Sequence, residues 1–249
     1  MAPVGVFVEV FRRHGVTLDV ATARGPMGTH KREHIRRLCE VPSVRAQWGG
    51  TPTDADIDAL YAEAEPLQIA VLARHAAVIP GFPEVLAALR ARGIKVGATT
   101  GYTRPMVDVL APLIWAPDVL VCASDVPAGR PAPYMNHLAA MKLGAPDVAG
   151  CVAVGDTVSD MQAARNAGMW AVGVAMTGNE VGLTWPELTA LTPPERQRRR
   201  RFATARLLEA GAHVVIDSVV DLPGVLDEVR RQGQVSFVEP GEPRFPSVP

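Results

Sequence analysis

From about residue 80 onward, the sequence alternates short β-branched runs with amphipathic helical patterns. The predicted strands cover residues 94–99, 119–123, 151–154, 171–175 and 213–216, and the helical patterns fall near 82–92, 104–111, 133–143, 158–167, 195–210 and 221–231. Such an alternation is typical of a parallel sheet with helices on both faces. We therefore predict a doubly wound α/β core over residues 80–232.

The first 79 residues follow a different pattern. Val4, Phe7 and Phe11 recur at helical spacing between Pro3 and Gly15, and further helical patterns cover residues 31–40 and 54–75. The valine content leaves a strand over residues 4–10 as an alternative, although the spacing favours a helix. We predict a helical cap over residues 1–79, and a loose proline-rich tail over residues 233–249.

Composition restricts where the chain resides and what it binds. The 249 residues carry a formal net charge of −1, which gives no general attraction to nucleic acid or to an anionic membrane. A run of about 18 apolar residues and the pattern of a signal peptide are both missing. The expectation is a cytoplasmic protein with no nucleic-acid or membrane partner.

A basic run at residues 196–201 is the local exception to this charge balance. Thr192 and Glu195 have the spacing of a capping box, and Phe202, Leu207 and Leu208 provide an apolar side further along. We therefore interpret the run as the solvated face of a helix, in preference to a nucleic-acid patch.

Polar side chains follow three of the predicted strands, where ligands collect in parallel sheets. Thr100 follows the first strand, Arg130 lies in a proline-rich loop after the second, and Asp156 and Asp160 follow the third. Thr100 and Arg130 could hold phosphate oxygens. The two aspartates could bind magnesium. Alternatively, Asp156 or Thr157 could cap the following helix while Asp160 improves the interaction with its dipole. Their spacing alone does not decide between these alternatives.

The order of these motifs resembles the haloacid dehalogenase superfamily. The resemblance implies that Thr100 is the phosphate-binding hydroxyl, that Arg130 steadies the phosphate and the nucleophile, and that Asp156 and Asp160 bind Mg²⁺.

Segment 24–35 further resembles the substrate-specificity segment of phosphonoacetaldehyde hydrolases, and segments 99–104, 125–131, 155–161 and 166–170 agree with the same family. The resemblance spans roughly residues 2–231. It implies a small phosphonate substrate, a Schiff base on Lys31, substrate contacts from Met27, Gly28, His34 and Tyr102, and a homodimer formed through the cap. For His34, packing at the surface and proton transfer remain equally open.

A lysine suits this reaction because the carbon leaving group of a phosphonate is too basic to depart unaided. An iminium beside that carbon accepts the electron pair of the broken bond, while a carboxylate attacks phosphorus and forms an aspartyl-phosphate. The attacking lysine must be partly neutral, so its pKa has to fall from about 10.4.

The superfamily takes its nucleophile from an Asp-x-x-Gly-Thr motif at the end of its first core strand, and we find no such motif among the 249 residues. The resemblance expects that strand between the strands that end near Thr99 and Val154. Either a segment upstream of Met1 carries it, which we favour, or the chain is a truncated relative. The remaining alternatives are a different phosphatase of the superfamily and a non-catalytic binding remnant.

Overall fold

The computed structural model describes residues 3–114 and 116–231. Its first part is helical: α1 (Pro3–Arg13), α2 (Val20–Arg24), α3 (Lys31–Cys39), α4 (Pro42–Trp48) and α5 (Asp54–Leu72). The apolar faces of these helices form one buried cluster that includes Phe7, Phe11, Ile35, Leu38 and Leu60. Residues 4–10 are helical, so the strand alternative is wrong. The structure adds α2 and α4, which are too short for their periodicity to stand out in the sequence.

The second part contains five strands that each overlap a predicted one: β1 (Gly97–Thr100), β2 (Val119–Cys122), β3 (Val152–Gly155), β4 (Trp170–Val174) and β5 (Val214–Ile216). The helices that accompany them are α6 (Phe82–Ala91), α7 (Arg104–Leu110), α8 (Tyr134–Leu143), α9 (Val158–Asn166), α10 (Trp185–Thr189), α11 (Pro193–Glu209) and α12 (Leu222–Arg231). All the strand pairs are parallel. The predicted α/β fold is confirmed, with α10 as an unpredicted addition.

The strands form two sheets, one of β1 and β2 and the other in the order β3-β4-β5. Within the described residues no ladder joins β1 to β3, although Val96 and Val152 contact the same apolar cluster beneath α6 and α12. Val154, on β3, is 40% exposed, which is unusual for a strand covered by helices. The sheet is therefore divided where the sequence analysis expected a further strand.

Helix α11 does not bury all the residues that we expected on its apolar side. The capping box of Thr192 and Glu195 is present, but Phe202 is 58% exposed and Leu208 is 48% exposed. Leu207, with Ala203 one turn earlier, forms the buried side. Residues four apart lie on the same helix face, whereas the neighbours of Leu207 and Ala203 are rotated away from the core.

The buried clusters of residues 4–71 and of residues 85–226 share no members. The boundary between residues 79 and 80 stays a prediction, and the proposed tail lies outside the described residues. None of the described helices has the length and apolarity that crossing a bilayer requires.

Candidate active site

The side chain of Arg130 contacts residues at the ends of both sheets and in the cap. Its Nε lies 2.9 Å from Oδ1 of Asp160, and its Nη2 donates to the carbonyl and the hydroxyl oxygens of Thr99 at 2.9 and 2.6 Å. Its Nη1 donates to the carbonyl of Gly28 in the cap at 3.3 Å. One guanidinium therefore connects the carboxyl end of β1, the start of α9 and the cap.

Asp160 is part of a capping box at the start of α9. Its Oδ2 accepts hydrogen bonds from the Thr157 amide at 3.0 Å and the Thr157 hydroxyl at 2.6 Å, while the Asp160 amide donates to the same hydroxyl. The capping alternative is thus confirmed for Thr157, which is the N-cap residue, while the Asp156 side chain takes no part in the capping box. Magnesium binding stays a prediction, since a carboxylate can serve a helix start and a nearby cation together.

Asp156 points into the same region. Its Oδ2 accepts the amide of Asn179 at 2.9 Å. Burial, and then the negative charge of Asp160, raise the pKa of Asp156 to about 6 against the opposing effects of Asn179 and Arg130. A buried carboxyl with a raised pKa beside a second carboxyl is a site where a cation would be favourable.

Thr100 ends β1 and turns toward the following loop. Its hydroxyl accepts the Tyr102 amide at 3.2 Å, so it orders the loop that carries Tyr102. Its neighbour Thr99, which sequence reasoning did not single out, makes the contacts with Arg130. Only the local pleat and the position of the arginine decide which of two adjacent threonines does so.

Lys31 is the first residue of α3 and is only 4% exposed. Its Nζ lies 4.8 Å from the centre of the Tyr102 ring and 5.9 Å from that of Phe7. Burial, and then the positive charge of Arg130, lower the pKa of Lys31 to about 8. The structure therefore brings a partly neutral amine into electrostatic range of the guanidinium at the strand ends.

His34 is fully buried beneath Lys31, so the surface alternative is wrong. Its ring stacks on Phe7 with centroids 4.1 Å apart, and its Nε2 lies 2.8 Å from the Ala23 carbonyl. Because a carbonyl only accepts, Nε2 must donate. Burial, followed by the charge of Lys31, lowers the pKa of His34 to about 3, and its Nδ1 has no hydrogen-bond partner among the residues that the structure describes. Proton transfer by His34 stays a prediction.

The cap segment at Met27 and Gly28 lies directly on the core. The Met27 carbonyl accepts the Ser159 hydroxyl at 3.0 Å. Gly28 has φ +86°, and a Cβ there would overlap the hydroxyls of Thr157 and Ser159. Only glycine combines this backbone conformation with so close an approach. Ser159 is a second contact that sequence reasoning missed.

Two stretches share the Asp-x-x-Gly spacing of the missing motif, although neither continues with threonine. In Asp221-Leu-Pro-Gly224-Val225, the Asp221 carboxyl accepts the Ser218 amide at 3.1 Å and caps a short helical turn. The other stretch, Asp147-Val-Ala-Gly150-Cys151, precedes β3, so it lies at the amino end of the sheet, away from Arg130 and Asp156. The Asp147 carboxyl accepts the Gly150 amide at 2.8 Å and forms a local turn. This aspartate cannot attack a group held at the carboxyl ends of the strands.

Comparison with known proteins extends these observations. Residues 4–168 match the family model of haloacid dehalogenase-like hydrolases. The chain is 47% identical to a phosphonoacetaldehyde hydrolase of Nitratidesulfovibrio vulgaris, over 92% of this chain and 85% of that protein. It is 43% identical to one of Bacillus cytotoxicus, over 93% and 90%. A solved phosphonoacetaldehyde hydrolase-like protein from Oleispira antarctica superimposes with a TM-score of 0.88 at 41% identity, over 92% of this chain and 86% of that one.

Proposed function

Because this chain belongs to the phosphonoacetaldehyde hydrolase family of haloacid dehalogenase-like hydrolases, we propose that its site cleaves the carbon–phosphorus bond of phosphonoacetaldehyde to acetaldehyde and phosphate. The observation that carries the proposal is the buried Lys31, whose pKa is lowered to about 8 beside Arg130. An ordinary phosphatase has no need of a desolvated amine next to its phosphate site.

Lys31 would act first. Its neutral amine adds to the aldehyde carbon, and loss of water leaves an iminium. A carboxylate then takes the phosphoryl group, the electron pair of the broken carbon–phosphorus bond moves toward the iminium nitrogen and gives an enamine, and water later releases phosphate from the acyl phosphate. Protonation of the enamine carbon and hydrolysis then release acetaldehyde and restore the amine. With the pKa near 8, a substantial fraction of Lys31 is neutral at physiological pH.

The remaining residues would bind and orient the substrate. Arg130 offers a guanidinium that suits phosphonate oxygens, and Thr100 offers a hydroxyl at the end of β1. Met27, Gly28 and Tyr102 form the surroundings of the aldehyde beside the cap. His34 would pack next to Lys31, and its Nδ1 would be the atom that can accept a proton.

The acidic pair fits a magnesium ion by its donor chemistry. Mg²⁺ is commonly held by one or two carboxylates, with water and phosphate oxygens completing its shell. Asp156 and Asp160 would provide those carboxylates, and a cation beside Asp156 would favour the charged form of a carboxyl whose pKa burial raises. When bound, the ion would neutralise charge on the phosphoryl group.

The attacking carboxylate is the part that the 249 residues do not provide. The division between β1 and β3 and the exposure of Val154 support a strand seated between them, with an aspartate at its carboxyl end beside Arg130. The homodimer that the family resemblance implies and the cytoplasmic location that the sequence pattern predicts also stay predictions.

Borohydride trapping tests the imine. The chain has three lysines, Lys31, Lys95 and Lys142, so peptide mass spectrometry can assign an adduct without ambiguity. We expect phosphonoacetaldehyde with borohydride to modify Lys31, and the Lys31→Arg variant to lose the adduct completely, because a guanidinium does not form the imine. An adduct confined to the exposed Lys95 and Lys142 would contradict the mechanism.

Phosphate release tests whether turnover requires a separate segment that carries the attacking aspartate. Residues 1–249 alone are expected to release no phosphate from phosphonoacetaldehyde, even with Mg²⁺. A fusion that places an Asp-x-x-Gly-Thr strand before α1 should restore magnesium-dependent release, and its Asp→Asn version should not. Turnover by residues 1–249 would overturn the requirement, whereas trapping at Lys31 without restored turnover would favour a binding function.

A further inference from the structure

A second link between the cap and the core lies beside Lys31. Oε1 of Glu65, on α5, accepts two hydroxyl groups, that of Tyr61 at 2.8 Å and that of Thr103 at 2.8 Å. Tyr61 belongs to the same helix, one turn earlier. Thr103 belongs to the core, is 5% exposed, and stands at the start of α7, which packs against α5.

The use that Thr103 makes of its hydroxyl is unusual. Thr103 is the N-cap residue of α7, but its side chain does not accept a hydrogen bond from the helix. A threonine at this position normally does so, and the bond stabilises the start of the helix. One of the two amides that such a hydroxyl usually accepts does not exist here, because Pro105 occupies the second helical position. The Arg104 amide donates to Ser124 at 3.1 Å, and the Thr103 hydroxyl donates to Glu65.

This bond holds the turn that carries Tyr102. The Tyr102 amide donates to Thr100 at 3.2 Å, and the Tyr102 carbonyl accepts the Ala123 amide at 3.2 Å. Both of those partners belong to the core. Glu65, by contrast, belongs to the helical part that also carries Lys31, so its bond fixes the turn relative to the amine.

We propose that Glu65 is a positioning residue, which holds the Tyr102–Thr103 turn against α5 and so keeps the Tyr102 ring over the Lys31 amine. The role assigned to Lys31 rests on the proposed function, but the contact does not. If the bond is lost, the ring no longer excludes water from Nζ. The amine then becomes better hydrated, and less of it is neutral and ready to attack an aldehyde.

The chain offers a matched set of variants. Thr103→Val removes the hydroxyl between cap and core without removing a helix cap, and Glu65→Ala removes the acceptor. Tyr61→Phe is the control, because it removes the other hydrogen bond to the same oxygen without touching the core. Thr103→Ser restores a hydroxyl and is the rescue variant. Circular dichroism establishes that each variant is folded.

Two measurements test the positioning role of Glu65. The first is the pH midpoint of Lys31 labelling by an amine reagent, with Lys95 and Lys142 as internal references. The second is borohydride trapping with phosphonoacetaldehyde. Thr103→Val should move the midpoint of Lys31 toward those of the exposed lysines and lower trapping about tenfold, the effect expected of one hydrogen bond to a carboxylate. Tyr61→Phe and Thr103→Ser should stay within about twofold of the unmodified protein.

The outcomes separate the two proposals. A midpoint that is unchanged in Thr103→Val, or one that Tyr61→Phe shifts equally, would overturn the positioning role of Glu65. Absence of any Lys31 adduct in the unmodified protein would instead contradict the proposed function, while the labelling midpoints would still decide on Glu65. Should Glu65→Ala fail to fold, the conservative Thr103→Val carries the test alone.

Discussion

Replacing Lys31 with methionine is expected to stabilise the protein by about 3 kcal/mol at pH 7 while abolishing borohydride trapping. The pKa of Lys31 falls from its ordinary value of 10.5 to about 8, first because the amine is buried and then because Arg130 is near. Folding therefore holds a charged group in surroundings that disfavour its charge, and methionine fills a similar volume without that cost.

The pH dependence of this gain has a definite sign. The unfolded chain binds the proton more tightly than the folded protein does, so the penalty is complete below about pH 8. It declines as pH rises from about 8 to about 10.5, and above that range both states are neutral and the difference vanishes. Urea unfolding of the Lys31→Met variant and of the unmodified protein, at pH 7 and at higher pH, measures this difference in stability.

Lys142→Met is the matched control, because Lys142 is exposed on α8. Its stability should change by no more than about 0.5 kcal/mol. Equal stability of Lys31→Met and the unmodified protein at pH 7 would mean that the amine is hydrated in the folded state, and the electrostatic basis of the proposed imine would fail.

Arg130→Met is expected to have the opposite effect, a loss of about 3 to 5 kcal/mol in the free energy of unfolding. The substitution removes the partner of the buried Asp160 carboxylate, the donor to Thr99 and the donor to Gly28. Removing one member of a buried ion pair is costly because the other charge remains desolvated.

Arg200→Met supplies the comparison for that result. Arg200 also pairs with an aspartate, Asp217, at 2.6 Å, but the arginine side chain is 57% exposed. Exposed pairs contribute about 1 kcal/mol or less. Calorimetry or urea unfolding of the two variants should separate them clearly, and similar losses would show that the contacts of Arg130 are as weak as a surface pair.

Sequence periodicity was sufficient for most of the architecture. The five strands and the longer helices lie within a few residues of their predicted positions, because a buried strand or a long amphipathic helix repeats its apolar residues often enough to be recognised. Helices α2, α4 and α10 have only five to seven residues each. Such short segments depend on tertiary contacts more than on their own pattern.

The sequence predicted which residues form the candidate site, but not the contacts that they make. Arg130, Asp156 and Asp160 do lie together, since parallel strands bring their carboxyl ends to one edge. Lys31 reaches Arg130 from the helical part, as the family resemblance implies. Their partners were not predictable. The burial of His34 and the bond between Glu65 and Thr103 depend on how cap and core meet, which neither local spacing nor the motifs specify.

The division of the sheet has a further consequence for complementation. β1 and β3 point the same way, since the carboxyl ends of both meet at Arg130, and each leaves one edge without a strand partner within the described residues. We predict that a strand which pairs with both in the parallel direction would have to match two ladders at once, whose hydrogen-bond spacing differs from that of an antiparallel pair. A peptide supplied in trans would then be selected by its direction and register as well as by its side chains, the property that a split protein needs to accept one fragment and reject its reverse.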